Sequence, residues 1–100
     1  MRKQQTTLPQ RKFNQSMSEL FEKYAQKMRE TKVKMTNYEK GTVYGLFKQV
    51  KEGDNTAEKP GILSIEARNK WKAWELQKGK TTEEAEAEYI KICKGFVGEL

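Results

Sequence analysis

Apolar side chains recur at helical spacing in the first half of the chain. After Ser16 they lie alternately three and one positions apart: Met17, Leu20, Phe21, Tyr24, Ala25 and Met28. This spacing forms one continuous face of a helix. Ser16 and Glu19 have the spacing of a capping box, so the first helix is expected to begin near Ser16. Residues 31–36 interrupt the pattern and indicate a connection.

A second helix is predicted from about Asn37 to Lys51. Its apolar residues follow the i, i+3, i+4, i+7 pattern: Val43, Leu46, Phe47 and Val50. Gly41 and Gly45 lie inside it, and each glycine costs a helix roughly 1 kcal/mol relative to alanine. Two glycines four residues apart allow either a close approach of another helix or simply weak local stability.

Residues 52–65 form the longest stretch without helical periodicity. Gly53-Asp54-Asn55 and Pro60-Gly61 are turn signals. The apolar residues Ile62, Leu63 and Ile65 that follow have no partner strand elsewhere in the chain. An ordered loop, anchored by these apolar side chains, is therefore expected.

Two further helices are predicted in the last third of the chain. One spans about Glu66 to Lys78, with Gly79 as its stop signal. Thr81 and Glu84 form another capping box, which begins the last helix. Its apolar side is formed by six residues: Ala85, Tyr89, Ile92, Cys93, Phe96 and Leu100. The predicted fold is all-α, with four helices and one long ordered loop.

Residues 1–15 differ in composition from residues 16–100. They contain four basic residues, no acidic residue and Pro9, and predict a flexible basic arm that precedes a single domain. No apolar stretch of a secretion signal is present. Together with a lone cysteine, Cys93, this favours a cytoplasmic protein, or an organellar one if the arm is a transit segment.

The composition excludes several classes of chemistry. The chain has 100 residues and no histidine, which removes histidine-based triads and most zinc sites. Cys93 lies on an apolar helix face and is expected to be a small core residue rather than a nucleophile. The acidic run at residues 83–88 is interpreted as a solvated face. No catalytic residue, metal site or cofactor is predicted.

The formal net charge of +6 favours an anionic partner: nucleic acid, an anionic membrane or a phosphorylated small molecule. Tyr44 and Lys48 share one helix face, Lys70 precedes Trp71, and Tyr89 lies midway along the last helix. Ammonium groups neutralise phosphate, and aromatic rings stack on a base. Taken singly, these are ordinary surface lysines and half-buried aromatic residues. Together they suggest a site for a phosphorylated nucleotide.

The same residues belong to a series of short motifs. The motifs are Y-G-L-F-K-Q at 44–49, G-D at 53–54, K-P-G-I-L at 59–63, K-W-K-A-W at 70–74 and K-G at 78–79. In this order and spacing they closely resemble the acyl-CoA-binding protein family. The resemblance covers roughly residues 18–100 and is strongest over 44–90.

The resemblance implies a four-helix, up-down-down-up bundle with a bowl-shaped site. The implied function is non-enzymatic binding, transport and buffering of long-chain fatty acyl-CoA thioesters inside the cell, by a monomer that contacts membrane surfaces transiently and binds no nucleic acid. One alternative is an acyl-CoA-binding module excised from a larger lipid-metabolising enzyme. The other is a basic, helical nucleic-acid-binding module.

By matching position, the resemblance implies a head-group site. Lys48 and Lys70 would bind the ribose 3′-phosphate together with the hydroxyl of Tyr44, and Tyr89 would complete the site. Phe47 would lie against the adenine, and it stands where many members carry tyrosine, so that only the ring contact remains.

Further positions are implied around this head-group site. Ala25 and Arg29 on the first helix would line the CoA side. Three residues would lie near the acyl chain: Met28, Ile62 and Leu63. Gly41 departs from the family pattern, because it stands in an apolar stretch near the site. Glu75 and the shifted Asn55-Thr56-Ala57 segment depart from the pattern as well, and together with Phe47 and Gly41 they leave the preferred length of the acyl chain open.

Overall fold

The structure, a computed structural model, describes residues 16–100, and the expected basic arm at 1–15 lies outside the described residues. Four helices follow one another: α1 (Met17–Thr31), α2 (Asn37–Glu52), α3 (Ile65–Glu75) and α4 (Thr82–Val97). Residues 16–100 contain no strand. The predicted all-α, four-helix bundle with a long loop between α2 and α3 is confirmed.

Capping boxes begin three of the helices. The side chains of Ser16, Thr36 and Thr81 each accept the backbone N–H of a glutamate three residues later, and that glutamate accepts the N–H of the capping residue. The boxes at Ser16 and Thr81 were predicted. The box at Thr36 has the same sequence signature and fixes the start of α2 directly after the connection.

Helix α4 packs against both α1 and α2. Ser18 near the start of α1 donates to the Glu86 carboxylate near the start of α4 at 3.0 Å, and one turn further along both helices the ring of Phe21 packs against that of Tyr89 at an angle of 54°. Contacts that advance together in this way mean that α1 and α4 run parallel. Glu86 is buried, so the prediction of a solvated acidic face is wrong at this position. The hydroxyl of Ser18 offsets part of the cost of burying the carboxylate.

The core lies where α1, α2 and α4 meet. It consists of nine buried apolar residues: Phe21, Tyr24, Ala25, Met28, Leu46, Ala85, Tyr89, Ile90 and Cys93. Ile90, which the predicted stripe omitted, is buried, whereas Ile92 is half-buried. The predicted extension of α4 to Leu100 is wrong, because the helix ends at Val97 before Gly98, whose φ is 79°.

Helix α3 is shorter than expected at its carboxyl end. It ends at Glu75 rather than at Lys78. The amides of Gln77 and Lys78 donate to carbonyls only three residues earlier, at 2.9 and 3.1 Å, which tightens the last turn. Gly79 follows with a φ of 96° and leads into α4.

A close approach of α2 and α3 depends on Gly45. A methyl group added to Gly45 would lie 2.7 Å from the backbone carbonyl carbon of Ala73, well inside van der Waals contact. Trp74 near the end of α3 donates to Gly53 at the end of α2 at 2.8 Å, so the two helices run parallel. Of the two interpretations of this glycine, close helix approach is therefore the correct one.

Replacing Gly45 with alanine is expected to destabilise the fold by about 1–3 kcal/mol, the usual cost of overpacking. The obstacle is backbone, which cannot rotate away, so α3 must move off α2. The gain in helix propensity offsets about 1 kcal/mol at most. Urea unfolding of both proteins measures the difference, and an unchanged or increased stability would contradict the close approach.

Hydrogen bonds from α3 hold the long loop at residues 53–64. Three side chains donate to loop carbonyls: Trp74 to Gly53 at 2.8 Å, Trp71 to Ala57 at 2.8 Å and Arg68 to Pro60 at 3.0 Å. Ile62 and Leu63 are instead exposed, at 77% and 93%. The loop is ordered as predicted, but the expectation that apolar side chains anchor it is wrong.

Asp54 connects this loop to the turn before α4. Its carboxylate accepts the backbone N–H of Gly79 and the side-chain amide of Gln49, both at 2.8 Å. These two hydrogen bonds, with the Gly79 bond as the larger cause, lower the pKa of Asp54 below its ordinary value of 3.8. The carboxylate thus stabilises the fold while it is ionised.

Asp54 is expected to contribute to the pH dependence of stability in acid. Its pKa is lowered on folding, so its contribution is complete above the unfolded pKa of about 4 and is lost as the pH falls through the folded pKa. An Asp54→Asn variant should therefore be less stable than the wild type at pH 7. The difference in stability between the two proteins should become smaller below pH 4. Thermal unfolding at pH 7 and at pH 3 checks this, and a constant difference would contradict it.

Candidate functional site

An open groove of about 1090 Å³ runs between α2 and α3. Its wall is mixed: apolar side chains from both helices lie among polar ones, which include the lysines Lys40, Lys70, Lys72 and Lys80. Tyr38, Ile65 and Leu76 are 82%, 69% and 78% exposed there, and exposed apolar side chains gathered in one groove are typical of a ligand-binding site. Helix α3 contacts no helix other than α2 along the described chain, which leaves this side of the pair open to a ligand.

A second, smaller hollow of about 260 Å³ lies between α1, α2 and α4. It gathers six of the side chains that the resemblance singled out: Ala25, Met28, Arg29, Tyr44, Phe47 and Tyr89. These residues are far apart in sequence and come from three different helices. The parallel packing of α1 and α4 brings them together.

The two hollows adjoin at α2. Tyr44 and Lys40, one helical turn apart, line both of them. Lys70 on α3 lines the groove, and its Nζ atom lies 5.6 Å from the centre of the Tyr44 ring. That distance is within the range of a cation–π contact. The structure thus brings together Tyr44 and Lys70, two of the residues implied for the phosphate site.

Lys48 lies one turn beyond Tyr44 on α2 and lines neither hollow. Its ammonium group pairs with the Glu52 carboxylate and lies 4.8 Å from the ring centre of Trp74. The hydrogen bond to Glu52 raises the pKa of Lys48 above its ordinary value. Lys48 remains charged at neutral pH, but an arriving phosphate has to compete with Glu52 for it.

Phe47 and Tyr89, two aromatic residues that line the smaller hollow, pack against Phe21 of the core. Phe21 lies 4.6 Å from Tyr89 and 5.7 Å from Phe47, measured between ring centres. Burial raises the pKa of the Tyr89 phenol, so its hydroxyl stays protonated and able to donate. Burial also raises the pKa of the Cys93 thiol to about 11, and Cys93 is fully buried. A thiol that stays protonated is a poor nucleophile, which agrees with its place in the core.

Three of the cations around the two hollows lack an acidic partner among the described residues. Among residues 16–100, Arg29, Lys40 and Lys70 form no salt bridge, whereas Lys48 and Lys80 do. Unpaired cations next to aromatic rings are suited to bind phosphate groups and a base. No group of three or more acidic or cysteine side chains in this part of the chain is arranged to hold a metal ion.

The loop residues implied for the acyl chain lie elsewhere. Ile62 and Leu63 line neither hollow, and Met28 lies in the smaller hollow. Sequence reasoning missed Lys40, whose i−4 spacing from Tyr44 mirrors the spacing that singled out Lys48. It also missed Leu76, which lines the groove wall and which no motif singled out.

The fold and the hollows define a small helical binding protein with an anion-attracting part and an apolar part. The profile of the family described as Acyl CoA binding protein matches residues 18–93. Acyl-CoA-binding protein 2 of Saccharomyces pastorianus is 49% identical over 81 residues, which are 81% of this chain and 93% of that protein. The acyl-CoA-binding protein homolog of Drosophila melanogaster is 41% identical over 81% of this chain and 94% of its own length.

A solved structure is also similar. The crystal structure of Oryza sativa acyl-CoA-binding protein 2 superposes with a TM-score of 0.77 at 37% identity, over 82% of this chain and 91% of that one. The chain therefore belongs to the acyl-CoA-binding protein family. No helix within residues 16–100 has the length and apolar character needed to cross a bilayer.

Proposed function

We propose that this protein binds long-chain fatty acyl-CoA thioesters without chemical change and carries them between the sites where they are made and used. Membership of the family and relatives named for acyl-CoA binding support this function. Acyl-CoA combines a phosphorylated nucleotide with an apolar chain. The protein offers one hollow suited to each part.

The observation that carries the proposal is the junction of the two hollows at Tyr44 and Lys40. On one side of the junction, Arg29 and the rings of Phe47 and Tyr89 provide charge and stacking surfaces for the nucleotide. Lys70, over the Tyr44 ring, reaches the phosphate from α3. Lys48 joins it once the ligand phosphate displaces Glu52.

On the other side of the junction, the groove between α2 and α3 receives the acyl chain. Its exposed apolar wall at Ile65 and Leu76 is covered when the chain binds. Burying a methylene group contributes roughly 0.8 kcal/mol, so a long tail supplies much of the affinity. The contacts with the head group determine which class of ligand is selected.

The nucleic-acid alternative fits the surface less well. The unpaired cations Arg29, Lys40 and Lys70 surround concave hollows on three helices instead of forming one basic stripe along a helix or an exposed sheet. A recognition helix or a backbone-tracking groove needs such a continuous stripe. The arrangement is suited to a single compact anion with an apolar extension.

Calorimetric titration with palmitoyl-CoA tests the proposed function. Saturable binding of one ligand per protein is expected, with palmitate as the comparison that lacks the head group. Binding of palmitate as tightly as palmitoyl-CoA would contradict the proposal, because the cations around Tyr44 would then have no role. Steep loss of binding to an oligonucleotide with added salt would favour the nucleic-acid alternative.

A further inference from the structure

The two glycines of α2 have different surroundings, although both face α3. At Gly45 an added methyl group would collide with the backbone of Ala73. At Gly41, one turn earlier, the nearest atom to such a methyl group is the Ala73 Cβ at 3.7 Å, an ordinary contact. Packing therefore demands a glycine at position 45 but not at position 41.

The backbone does not demand a glycine at position 41 either. Gly41 lies inside a regular helix and is absent from the residues with positive φ. Glycine weakens a helix relative to alanine because it loses more conformational freedom on folding. This position thus holds a residue that lowers the stability of α2, with no gain in packing.

The space that Gly41 leaves empty belongs to the groove. Gly41 and Ala73 face each other across the α2–α3 contact, and both line the groove wall. Two small residues in apposition make a notch in the wall of the groove, which the exposed apolar side chains of Tyr38 and Leu76 also line. A larger side chain at position 41 would fill this notch without disturbing the smaller hollow, which Gly41 does not line.

We propose that Gly41 is a specificity-determining residue: the notch it forms with Ala73 receives the acyl chain, and the absence of a side chain at position 41 lets the groove accept long chains. This inference rests on the proposed function, because it takes the groove to be the acyl-chain site. Position 41 then acts on the tail of the ligand and leaves the head-group contacts around Tyr44 unchanged.

Calorimetry on Gly41→Leu with octanoyl-CoA, palmitoyl-CoA and free CoA tests the inference. In the wild type, affinity should rise from octanoyl-CoA to palmitoyl-CoA. In Gly41→Leu the ratio of the two affinities should be smaller by at least about tenfold, which is the effect of changing the fit of a hydrophobic pocket by a group of this size. Affinity for free CoA should change by less than about twofold, because free CoA has no acyl chain and Gly41 does not line the smaller hollow that takes the head group.

Two further variants serve as controls. Gly95 on α4 has open space around it and lines neither hollow, so Gly95→Leu should leave all three affinities unchanged. Gly41→Ala should raise the melting temperature through helix propensity and shrink the chain-length effect by less than Gly41→Leu does. It keeps the inference testable if the leucine variant folds poorly.

The outcomes separate the two proposals. An unchanged chain-length effect in both Gly41 variants would overturn the role of the notch while leaving acyl-CoA binding intact. An equal loss for free CoA and palmitoyl-CoA would also overturn it, because position 41 would then act on the head site. Failure of the wild type to bind any acyl-CoA would overturn the proposed function itself.

Discussion

Free CoA is expected to bind at least about a hundredfold more weakly than palmitoyl-CoA, a difference of roughly 2.7 kcal/mol. The roughly fifteen alkyl carbons of a palmitoyl chain contribute about 12 kcal/mol as an upper limit at 0.8 kcal/mol per methylene, before the cost of ordering the chain. The exposed wall of the groove at Ile65 and Leu76 offers the apolar surface that the tail would cover. Calorimetry with the two ligands at the same ionic strength measures the difference.

A series of ligands with increasing acyl length is the control for this prediction. Affinity should rise with each added pair of methylene groups until the groove is filled, and the heat capacity of binding should become more negative in parallel. Equal affinities for CoA and palmitoyl-CoA would contradict the assignment of the groove, because the tail would then gain nothing from it.

Replacing Lys70 with alanine is expected to weaken palmitoyl-CoA binding by about 1.5–3 kcal/mol, the usual range for a hydrogen bond to a charged group. Its ammonium group lies over the Tyr44 ring without a salt bridge among the described residues, so the ligand phosphate does not compete with a carboxylate for it. Lys48→Ala should fall at the lower end of this range, because Lys48 gives up Glu52 on binding. Stability should barely change in Lys70→Ala, since exposed lysines contribute little.

The ligand that lacks the 3′-phosphate distinguishes this assignment from a general loss of positive charge. The wild type should prefer palmitoyl-CoA to the dephospho ligand, and Lys70→Ala should lose most of that preference. The double variant should lose less than the sum of the single losses, because both lysines act on one phosphate. Lys91→Ala, an exposed residue of α4 outside both hollows, is the matched control and should change neither affinity. A loss in Lys70→Ala that is equal for both ligands would show that Lys70 contacts another part of the head group.

Helix starts were predictable from the sequence because they depend on local chemistry. A Thr or Ser followed three residues later by Glu begins α1, α2 and α4, and the same short-range signal that gave two of these starts was available for the third at Thr36. Helix ends were less predictable. The tight last turn after Glu75 depends on the turn into α4 and on the hydrogen bond from the Gly79 N–H to the Asp54 carboxylate. The spacing of apolar residues carries no information about these contacts.

The contacts that hold the loop between α2 and α3 were wrongly predicted from the sequence. The apolar run at Ile62 and Leu63 suggested burial, but indole N–H groups of α3 hold the loop by its carbonyls. Such bonds require the tryptophans to lie beside the loop, which follows from the parallel packing of α2 and α3. That packing in turn depends on Gly45, whose role could not be separated from that of Gly41 without the position of Ala73.

The motifs named some residues of the candidate site, but the contacts between helices that complete it could not be predicted. The family motifs gave Tyr44 and Lys70, which the structure brings together. They did not give Lys40, which lines both hollows, or the salt bridge that occupies Lys48. These features depend on which side chains come into contact when the helices pack and fold, and a single sequence does not show those contacts.

Native mass spectrometry with an equimolar mixture of palmitoyl-CoA, free CoA and palmitate tests the central claim most directly, because the three ligands compete for one protein in one measurement. We expect a single dominant species, the protein with one palmitoyl-CoA, since only this ligand has both a head group for the hollow at Tyr44 and a tail for the groove between α2 and α3. A spectrum dominated by the free protein or by the palmitate complex would contradict it.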